Sequence, residues 1–292
     1  MGTDVTVAAV ADPGVDLGPA LDLAVATVHD LESRWSRFLP DSELSQINRA
    51  DGPVVVSALT CDLVAVACDA WRASDGWFDP TVLPALEAAG YDRPFDLGLD
   101  RATPASQVAP SGCADIAWDR ATGLVVLPSG CRLDLGGIAK GATADLITAQ
   151  LVEAGAEGAC ASIGGDVRVR CRPGAEPWPV AASVADIEPI ALLDGAVCSS
   201  STLRRTWQRA GERHHHVIDP RSGCAASGWA SEVAVTAGNA ITAEMLTKVA
   251  LIADEDTTEH LVGAHGAAAI VRRHDGRLRR IGSWPSMEVS AT

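Results

Sequence analysis

The sequence predicts an α+β fold, in which mixed, largely antiparallel sheets and packed helices form a single domain over residues 1–292. Two observations predict the class: strand patterns and helical patterns interleave along the chain, and several strands are separated by the short turns typical of hairpins. Hydrophobic residues make up 47% of the chain, which is sufficient for a core. No linker, repeat or change of composition divides the chain, so we expect one domain.

The N-terminal elements follow from hydrophobic periodicity and helix caps. A helix over 17–37 is predicted by the apolar stripe Leu21, Val25, Val28, Leu31 and Trp35. The other expected elements are a strand over 4–10, a short helix that ends near 48, a strand over 54–56, a helix that Ser57 caps, and a helix that begins at Asp79-Pro80.

The remaining elements alternate more closely. A loop is expected over 94–110, followed by a hairpin over 114–127, a strand over 131–135 and a helix from 138 to Gly155. Strands are then expected over 159–163, 167–171, 180–184, 190–198, 214–219 and 231–236, with helices over 240–253 and 257–263 and a final hairpin over 267–281.

Composition excludes several classes of function. A formal net charge of −15 argues against nucleic-acid partners and anionic membrane surfaces, which favour a basic face. No apolar run approaches the ~20 residues of a membrane span, so none is expected. The eight cysteines include no C-x-x-C pair, and several lie in apolar runs. This pattern indicates reduced thiols and a cytoplasmic protein rather than zinc ligands or disulfides.

The stretch Asp134-Leu-Gly-Gly-Ile-Ala-Lys140 has the features of an anion site. Two glycines at the start of a helix let a ligand approach the backbone, and the first free N–H groups of the helix point towards negative charge. Lys140 lies in the first turn, where a cation is unfavourable for the helix dipole and calls for an anionic partner. An ordinary strand–helix turn with an exposed lysine is the alternative. Only two of the 23 basic residues are lysines, Lys140 and Lys248, which favours a specific role for each.

Six motifs occur in an order and spacing that resemble the ApbE-type FAD:protein FMN transferase family. They are Gly2-Thr3; Ser36-Arg-Phe38 with Asp41-Ser-Glu-Leu44 and Asn48; Gly76-x-x-Asp79-Pro-Thr81; Leu133 to Gly141 with Asp145; Ile163-Gly-Gly-Asp166; and His216-Val-Ile-Asp-Pro-Arg-Ser-Gly223. The resemblance covers residues 1 to about 255. It implies an enzyme that binds FAD and transfers FMN to a Ser or Thr hydroxyl of a target protein, with release of AMP and with Mg²⁺ at the pyrophosphate.

The resemblance also implies roles for individual residues. FAD is expected to contact the residues that match the family's binding positions, namely Met1, Trp35 or Phe38, Trp77, Phe78, Asp79, Asp134, Lys140 and Ile218. His216 is expected near the reacting phosphate, where it could act as a general base. The metal is expected at a backbone oxygen of Gly137 and at Glu244 of the late helix. Lys248 stands where the family has its second metal-binding side chain, and is expected to have a catalytic role instead.

Simpler explanations remain open for three of these positions. His216 and His214 share a face if the segment is a continuous strand, so the run could be a partly exposed strand edge. Asp79 could cap the helix before Pro80, and Asp166 could be a turn residue after Gly164-Gly165.

Positions 244 and 248 depart from the family, whose late helix usually carries Asp-x-x-x-Thr. Glu244 can still bind Mg²⁺, but the Lys248 ammonium has no lone pair. A simple i, i+4 ion pair, worth roughly 0.2–0.5 kcal/mol, is the plain alternative. The family's Thr-Ser-Gly segment is also replaced, by Ser199-Ser-Ser201.

Three hypotheses therefore stay open. The chain is an FMN transferase or FAD pyrophosphatase that uses Mg²⁺ through altered ligands; an enzyme in which Lys248 supplies part of the metal's charge; or a flavin-binding protein without transferase activity.

Overall fold

The computed structural model describes residues 3–110 and 112–286 of the chain. Met1, an expected FAD contact, lies outside the described residues. Within the described part, the α-helices in chain order are α1 (Gly18–Trp35), α2 (Glu43–Arg49), α3 (Ala58–Ala73), α4 (Leu83–Ala88), α5 (Ala139–Glu153), α6 (Ala240–Ile252) and α7 (Glu255–Ala264).

The strands in the same part of the chain are short and numerous. They are β1 (Val5–Val10), β2 (Val54–Val55), β3 (Ala117–Asp119), β4 (Leu124–Val126), β5 (Gly158–Ile163), β6 (Asp166–Cys171), β7 (Trp178–Val180), β8 (Ile190–Leu192), β9 (Asp194–Ser201), β10 (Thr206–Arg209), β11 (Glu212–His215), β12 (Ile218–Asp219), β13 (Cys224–Ala225), β14 (Ala230–Ala237), β15 (Ala268–Arg273) and β16 (Leu278–Ile281).

A seven-stranded sheet organises the molecule. Its strand order is β1-β5-β6-β9-β14-β15-β16, and every neighbouring pair is antiparallel. A three-stranded sheet, β2-β4-β3, and three two-stranded ribbons complete the described strands. The predicted α+β class, with largely antiparallel sheets and packed helices, is confirmed.

The core lies on both faces of the large sheet because side chains alternate along each strand. Ala159, Ala161 and Ile163 of β5 belong to the larger cluster, which α1, α5 and α6 complete. Val167 and Val169 of β6 point to the opposite face and pack with the β7-β8 ribbon. The two faces therefore bury separate apolar clusters.

Local signals explain where several helices begin. The side chains of Ser42, Ser57, Asn239 and Asp254 accept hydrogen bonds from backbone N–H groups three residues later, which satisfies donors that the first turn leaves free. The predicted cap at Ser57 is confirmed. The predicted helix start at Asp79-Pro80 is wrong, since α4 begins at Leu83.

The predicted strand over 131–135 is also wrong. The backbone groups of Leu133 bind a side chain instead of a neighbouring strand. Leu133 N–H donates to the Asn48 side-chain oxygen at 2.7 Å, and the Leu133 carbonyl accepts from the Asn48 side-chain nitrogen at 2.8 Å. Asp134 N–H donates to the Pro80 carbonyl at 2.8 Å. One asparagine from α2 thus replaces a neighbouring strand, and no local pattern indicates this.

Two other predicted strands are divided. The segment 190–198 forms β8 and β9, which belong to different sheets, and the segment 214–219 forms β11 and β12 with a break at His216. The strand expected over 180–184 ends at Val180. No helix of the described segments combines the length and apolar character that crossing a membrane requires.

Helices α5 and α6 make an unusually close contact at Gly141. A Cβ atom at this position would lie 2.6 Å from the Ala240 carbonyl oxygen and 2.9 Å from the Ile241 nitrogen. Gly141 N–H also donates to Glu244 Oε2 at 2.8 Å. Only glycine lets the start of α5 approach the first turn of α6 this closely.

We expect Gly141→Ala to lower the free energy of unfolding by about 1–3 kcal/mol, because the added methyl group separates the two backbones. The matched control is Gly263→Ala in α7, where a Cβ meets nothing within 4 Å. That change should be neutral or stabilise by about 0.5–1 kcal/mol, since alanine favours a helix. Urea unfolding of both variants measures the difference, and equal stabilities would contradict the close-contact argument.

Candidate active site

One cavity of about 950 Å³ brings together residues from distant parts of the chain. Pockets of this size are typical of small-molecule and cofactor sites. The site residues predicted from the sequence that line it are Trp35 and its alternative Phe38, Trp77, Phe78, Asp79, Asp134, Gly137, Lys140, His216, Ile218 and Lys248. Glu244 does not line the cavity and lies beneath its floor with no exposed surface.

Two lysines face the cavity at this floor, and two buried carboxylates lie beneath them. Lys140 Nζ donates to Glu244 Oε1 and lies 3.2 Å from Asp166 Oδ2. Lys248 Nζ lies 3.4 Å from the same Glu244 oxygen and 3.3 Å from Ser200 Oγ, to which it donates. Together with the Gly141 N–H, the two ammonium groups engage both oxygens of Glu244. The four charged groups balance one another within the protein.

The environment sets the protonation of this cluster. Burial of the Glu244 carboxyl favours its neutral form, but Lys140 and Lys248 outweigh burial and hold the pKa of Glu244 below its usual value. Burial also disfavours the Lys140 ammonium, yet Glu244 and Asp166 raise the pKa of Lys140 above its usual value. For Asp166, burial dominates and raises its pKa despite the nearby lysines. Glu244 is therefore an anion and Lys140 a cation at neutral pH.

The position of Asp166 follows from the turn that precedes it. Gly164 and Gly165 have φ values of +61° and +88°, a conformation that side chains disfavour, and Asp166 begins β6 directly afterwards. Its Oδ1 accepts a hydrogen bond from Ser199 N–H on β9 at 3.0 Å. Asp166 is thus more than the turn residue that the sequence allowed, because it connects β9 to Lys140.

Asp134 is held in place before any ligand binds. Its Oδ2 lies 2.6 Å from Arg37 Nε, and its Oδ1 accepts from Gly136 N–H at 2.7 Å. The Arg37 guanidinium in turn lies 4.1 Å from the centre of the Phe38 ring and 4.6 Å from that of Tyr91. Stacking on two rings orients the arginine, and the arginine orients Asp134.

Aromatic side chains form another part of the cavity. The Arg221 guanidinium lies 3.5 Å from the centre of the Trp77 ring, and Phe78 is buried. Trp35 Nε1 donates to Thr60 Oγ1 at 3.0 Å, so the polar atom of this ring is satisfied within the protein. These rings offer planar apolar surface suited to a planar ligand.

Asp79 closes a turn. Its Oδ1 accepts from the Thr81 backbone N–H at 2.7 Å and from the Thr81 hydroxyl at 2.6 Å. Burial raises the pKa of Asp79, and the two Thr81 bonds offset this only in part. The carboxylate therefore does not cap α4, and Asp79 lies in the cavity wall.

The three consecutive histidines have different environments. His215 bonds to the Ala226 carbonyl at 3.0 Å, and His214 stacks on Trp207. His216 lines the cavity, and its buried Nδ1 has no hydrogen-bond partner among residues 3–110 and 112–286. Burial, with Arg205 and Lys248 nearby, lowers the pKa of His216 to about 3. The strand break at His216 separates it from His214, so the simple alternation expected from the sequence does not apply.

The residues expected to hold Mg²⁺ do not fit a metal ion. Both oxygens of Glu244 are engaged by N–H donors, and Lys248 offers a positive charge where a ligand is needed. In the described segments, no three His, Cys, Asp or Glu side chains form a group that could bind a metal. Gly137 provides only its backbone oxygen, and a Cβ there would lie 3.5 Å from Lys248 Cε.

Sequence reasoning missed three contributors to the site. The pairing of Lys140 with Glu244 joins positions 104 residues apart, and no local pattern predicts it. Arg37 lies inside the motif Ser36-Arg-Phe38, but its partner Asp134 is also far away in the sequence. Ser200 lies in the segment where the family pattern is broken, and that departure was the available signal.

The fold is α+β, the cavity combines aromatic side chains with two lysine ammonium groups, and comparison with known sequences gives the family. A sequence model of the ApbE family matches residues 1–271. This chain belongs to the ApbE family, which confirms the resemblance identified from its motifs.

Curated relatives carry the name FAD:protein FMN transferase. The protein of that name from Rhodobacter capsulatus is 32% identical over 213 residues, which are 69% of this chain and 40% of the relative. The protein from Haemophilus influenzae is 26% identical over 278 residues, 88% of this chain and 80% of the relative. The chain thus spans less than half of the first relative's length and four fifths of the second's.

Solved structures show the same fold. The ApbE protein of Thermotoga maritima superposes with a TM-score of 0.80 at 25% identity, over 96% of this chain and 94% of that one. The flavinyl transferase ApbE of Pseudomonas stutzeri gives a TM-score of 0.78 at 21% identity, over 97% and 93%. At 21% identity the second similarity concerns the fold alone.

The lowered pKa of His216 predicts a pH dependence of stability. The unfolded chain takes up a proton on this ring near the usual pKa of about 6.5, whereas the folded protein does not until the pH approaches the lowered value. Above about pH 6.5 this ring does not lower the free energy of unfolding. Its contribution makes the free energy of unfolding fall as the pH drops from there towards the pKa of the folded protein. We expect His216→Gln to lose less free energy of unfolding than the parent between about pH 7 and about pH 5.

Urea unfolding at both pH values measures this difference. His260→Gln, which removes an exposed histidine from α7, is the matched control and should follow the parent. Identical pH dependence in the parent and His216→Gln would show that the ring is not buried in its neutral form.

Proposed function

We propose that this chain is an FAD:protein FMN transferase, which moves FMN from FAD to a Ser or Thr hydroxyl of a target protein and releases AMP. One observation carries the proposal: a single cavity combines aromatic surface at Trp77 and Phe78 with two lysine ammonium groups at its floor. A flavin nucleotide has the same two parts, a planar ring system and a diphosphate. The names of the relatives support the assignment.

The proposed binding mode follows from this division. The isoalloxazine ring lies against the aromatic wall, together with Trp35 and Ile218. The diphosphate lies over Lys140 and Lys248, where positioned cations meet its charge. Asp134 and Asp79 are fixed by Arg37 and Thr81, so each can accept a hydrogen bond from a ligand hydroxyl or amine without reorganising.

The reaction is a phosphoryl transfer. The hydroxyl oxygen of the target attacks the phosphorus of the FMN half and forms a phosphoester bond. The bond from that phosphorus to the bridging oxygen breaks, and AMP leaves with the bridging oxygen. The hydroxyl proton passes to a base. Catalysis of such a step depends mainly on position and charge.

We assign the base to His216. The imidazole is neutral at physiological pH because its pKa is lowered to about 3, so it can accept a proton. A bound diphosphate adds negative charge beside the ring and raises this pKa, which strengthens the base when the substrate is present. Its Nδ1 is buried and has no partner among the described residues, so no hydrogen bond within that part of the protein competes for it.

Because Glu244 and Lys248 depart from the family pattern, we also consider a second candidate function. If the altered floor does not support transfer, the chain acts as an FAD pyrophosphatase or as a flavin-binding protein. The products separate these functions: transfer leaves flavin on acid-precipitated protein, hydrolysis gives free FMN and AMP, and binding alone releases neither.

We further propose that the chain works as one domain in the cytoplasm. The large sheet includes strands from both ends of the described chain, β1 and β16, which supports a single unit. All eight cysteines lie in the described segments, where they form no disulfide, and five of them are buried, which suits a reducing compartment. The proposed partners are FAD and a flavinylation target protein; nucleic acid is not among them.

We expect the purified protein to bind FAD, and Lys140→Gln to weaken that binding by at least about tenfold, because the diphosphate loses a charged donor. Arg120→Gln is the matched control. It removes an equal charge from an exposed residue paired with Asp62, and should bind FAD as the parent does.

Equilibrium dialysis measures FAD binding, and thermal unfolding verifies that each variant is folded. AMP release and acid-stable flavin fluorescence are then followed with FAD and an extract of the host's proteins. A folded parent that binds no FAD would overturn the proposed function.

A further inference from the structure

Lys248 holds its positive charge at a defined position in the cavity. Its ammonium is held between Glu244 Oε1 at 3.4 Å and Ser200 Oγ at 3.3 Å, and its side chain is only 16% exposed. The side chain runs alongside Gly137, where a Cβ would approach Lys248 Cε to 3.5 Å. The Lys248 ammonium therefore lies where a metal ion held by Gly137 and by side chains of α6 would be expected. It does not point into solvent.

Ser200 and Thr247 help to keep the lysine there. Their hydroxyl groups lie 2.7 Å apart, so Ser200 is itself fixed from α6. Glu244 has no exposed surface and cannot exchange its partners for water. An ammonium that is anchored by a buried carboxylate and an oriented hydroxyl has a defined position, unlike a lysine on the surface.

The charged groups at the cavity floor already balance one another, which disfavours a divalent cation there. Two ammonium groups face two carboxylates, Glu244 and Asp166, so no carboxylate remains uncompensated. A divalent ion in contact with Glu244 would also lie beside Lys140 and Lys248, both of which repel it. Arg204 and Arg205 line the same cavity and add positive charge towards a ligand.

We propose that the Lys248 ammonium replaces the divalent cation of this site, so that the protein binds the diphosphate of FAD without a metal ion. This inference rests on the proposed function, because it concerns the same substrate. Glu244 then serves as the anchor of two lysines, and Lys140 and Lys248 contact the phosphate oxygens together.

The test compares FAD binding by calorimetry in excess EDTA and in millimolar Mg²⁺, with the parent and two variants. Lys248→Met keeps the length of the side chain and removes its charge; Lys248→Thr removes the charge and supplies an oxygen ligand. Mn²⁺ binding to the same proteins without FAD, followed by electron paramagnetic resonance, gives a readout independent of flavin.

We expect the parent to bind FAD equally in both buffers and to bind no Mn²⁺. Lys248→Met should bind FAD about tenfold more weakly in both buffers. Lys248→Thr should show the same loss in EDTA, recover in Mg²⁺, and bind Mn²⁺.

The outcomes separate this inference from the proposed function. A parent that binds FAD in Mg²⁺ but loses about tenfold or more in EDTA overturns the inference and leaves the function standing. Equal FAD binding by the parent and Lys248→Met also overturns it. A folded parent that binds FAD in neither buffer overturns the proposed function itself. Thermal unfolding of each variant shows whether a loss reflects the site or the fold.

Discussion

The buried Glu244 carboxylate is the group on which the site depends. It has no exposed surface, and an unpaired charge in such a place would be strongly destabilising. Its compensation comes from two helices: Lys140 and the Gly141 N–H belong to α5, and Lys248 belongs to α6. The need to satisfy one anion thus fixes the separation of these helices, requires glycine at position 141, and places both ammonium groups at the cavity floor.

A second carboxylate fixes the same two helices to the sheet. Asp145 of α5 accepts hydrogen bonds from the Ala240 and Ile241 N–H groups, at the N-terminus of α6 where negative charge is favourable. It also pairs with Arg168 of β6, which is 1% exposed and reaches the Gly195 carbonyl on β9 at 2.9 Å. The site is therefore built on rigid elements, and its charged groups are positioned before any ligand arrives, as electrostatic catalysis requires.

The sequence predicts the parts of this arrangement that depend on neighbouring residues. Helix α3 with its Ser57 cap, helix α1 with Val28, Leu31 and Trp35 buried, and the antiparallel class all follow from periodicity and capping. The failures come from long-range partners. The strand expected over 131–135 is replaced by bonds to Asn48, and the helical anion site at Lys140 is filled partly by Glu244 of the same chain. No local pattern contains the information about such pairs, so a motif identifies the residues of a site but not their partners.

Glu244 and Lys248, the two departures from the family pattern on α6, depend on each other. Glutamate has one methylene more than aspartate, and this length lets the Glu244 carboxylate reach from α6 to the Gly141 N–H while it also contacts Lys248 one turn away. A lysine at 248 without that carboxylate would bring an uncompensated cation into a half-buried position, and a glutamate at 244 without the lysine would lose one of its two cationic partners. A tethered ammonium differs from a bound metal ion because its occupancy does not depend on concentration. The residues at 244 and 248 therefore act as a pair, in which Lys248 supplies the charge that faces the cavity and Glu244 holds that charge in place.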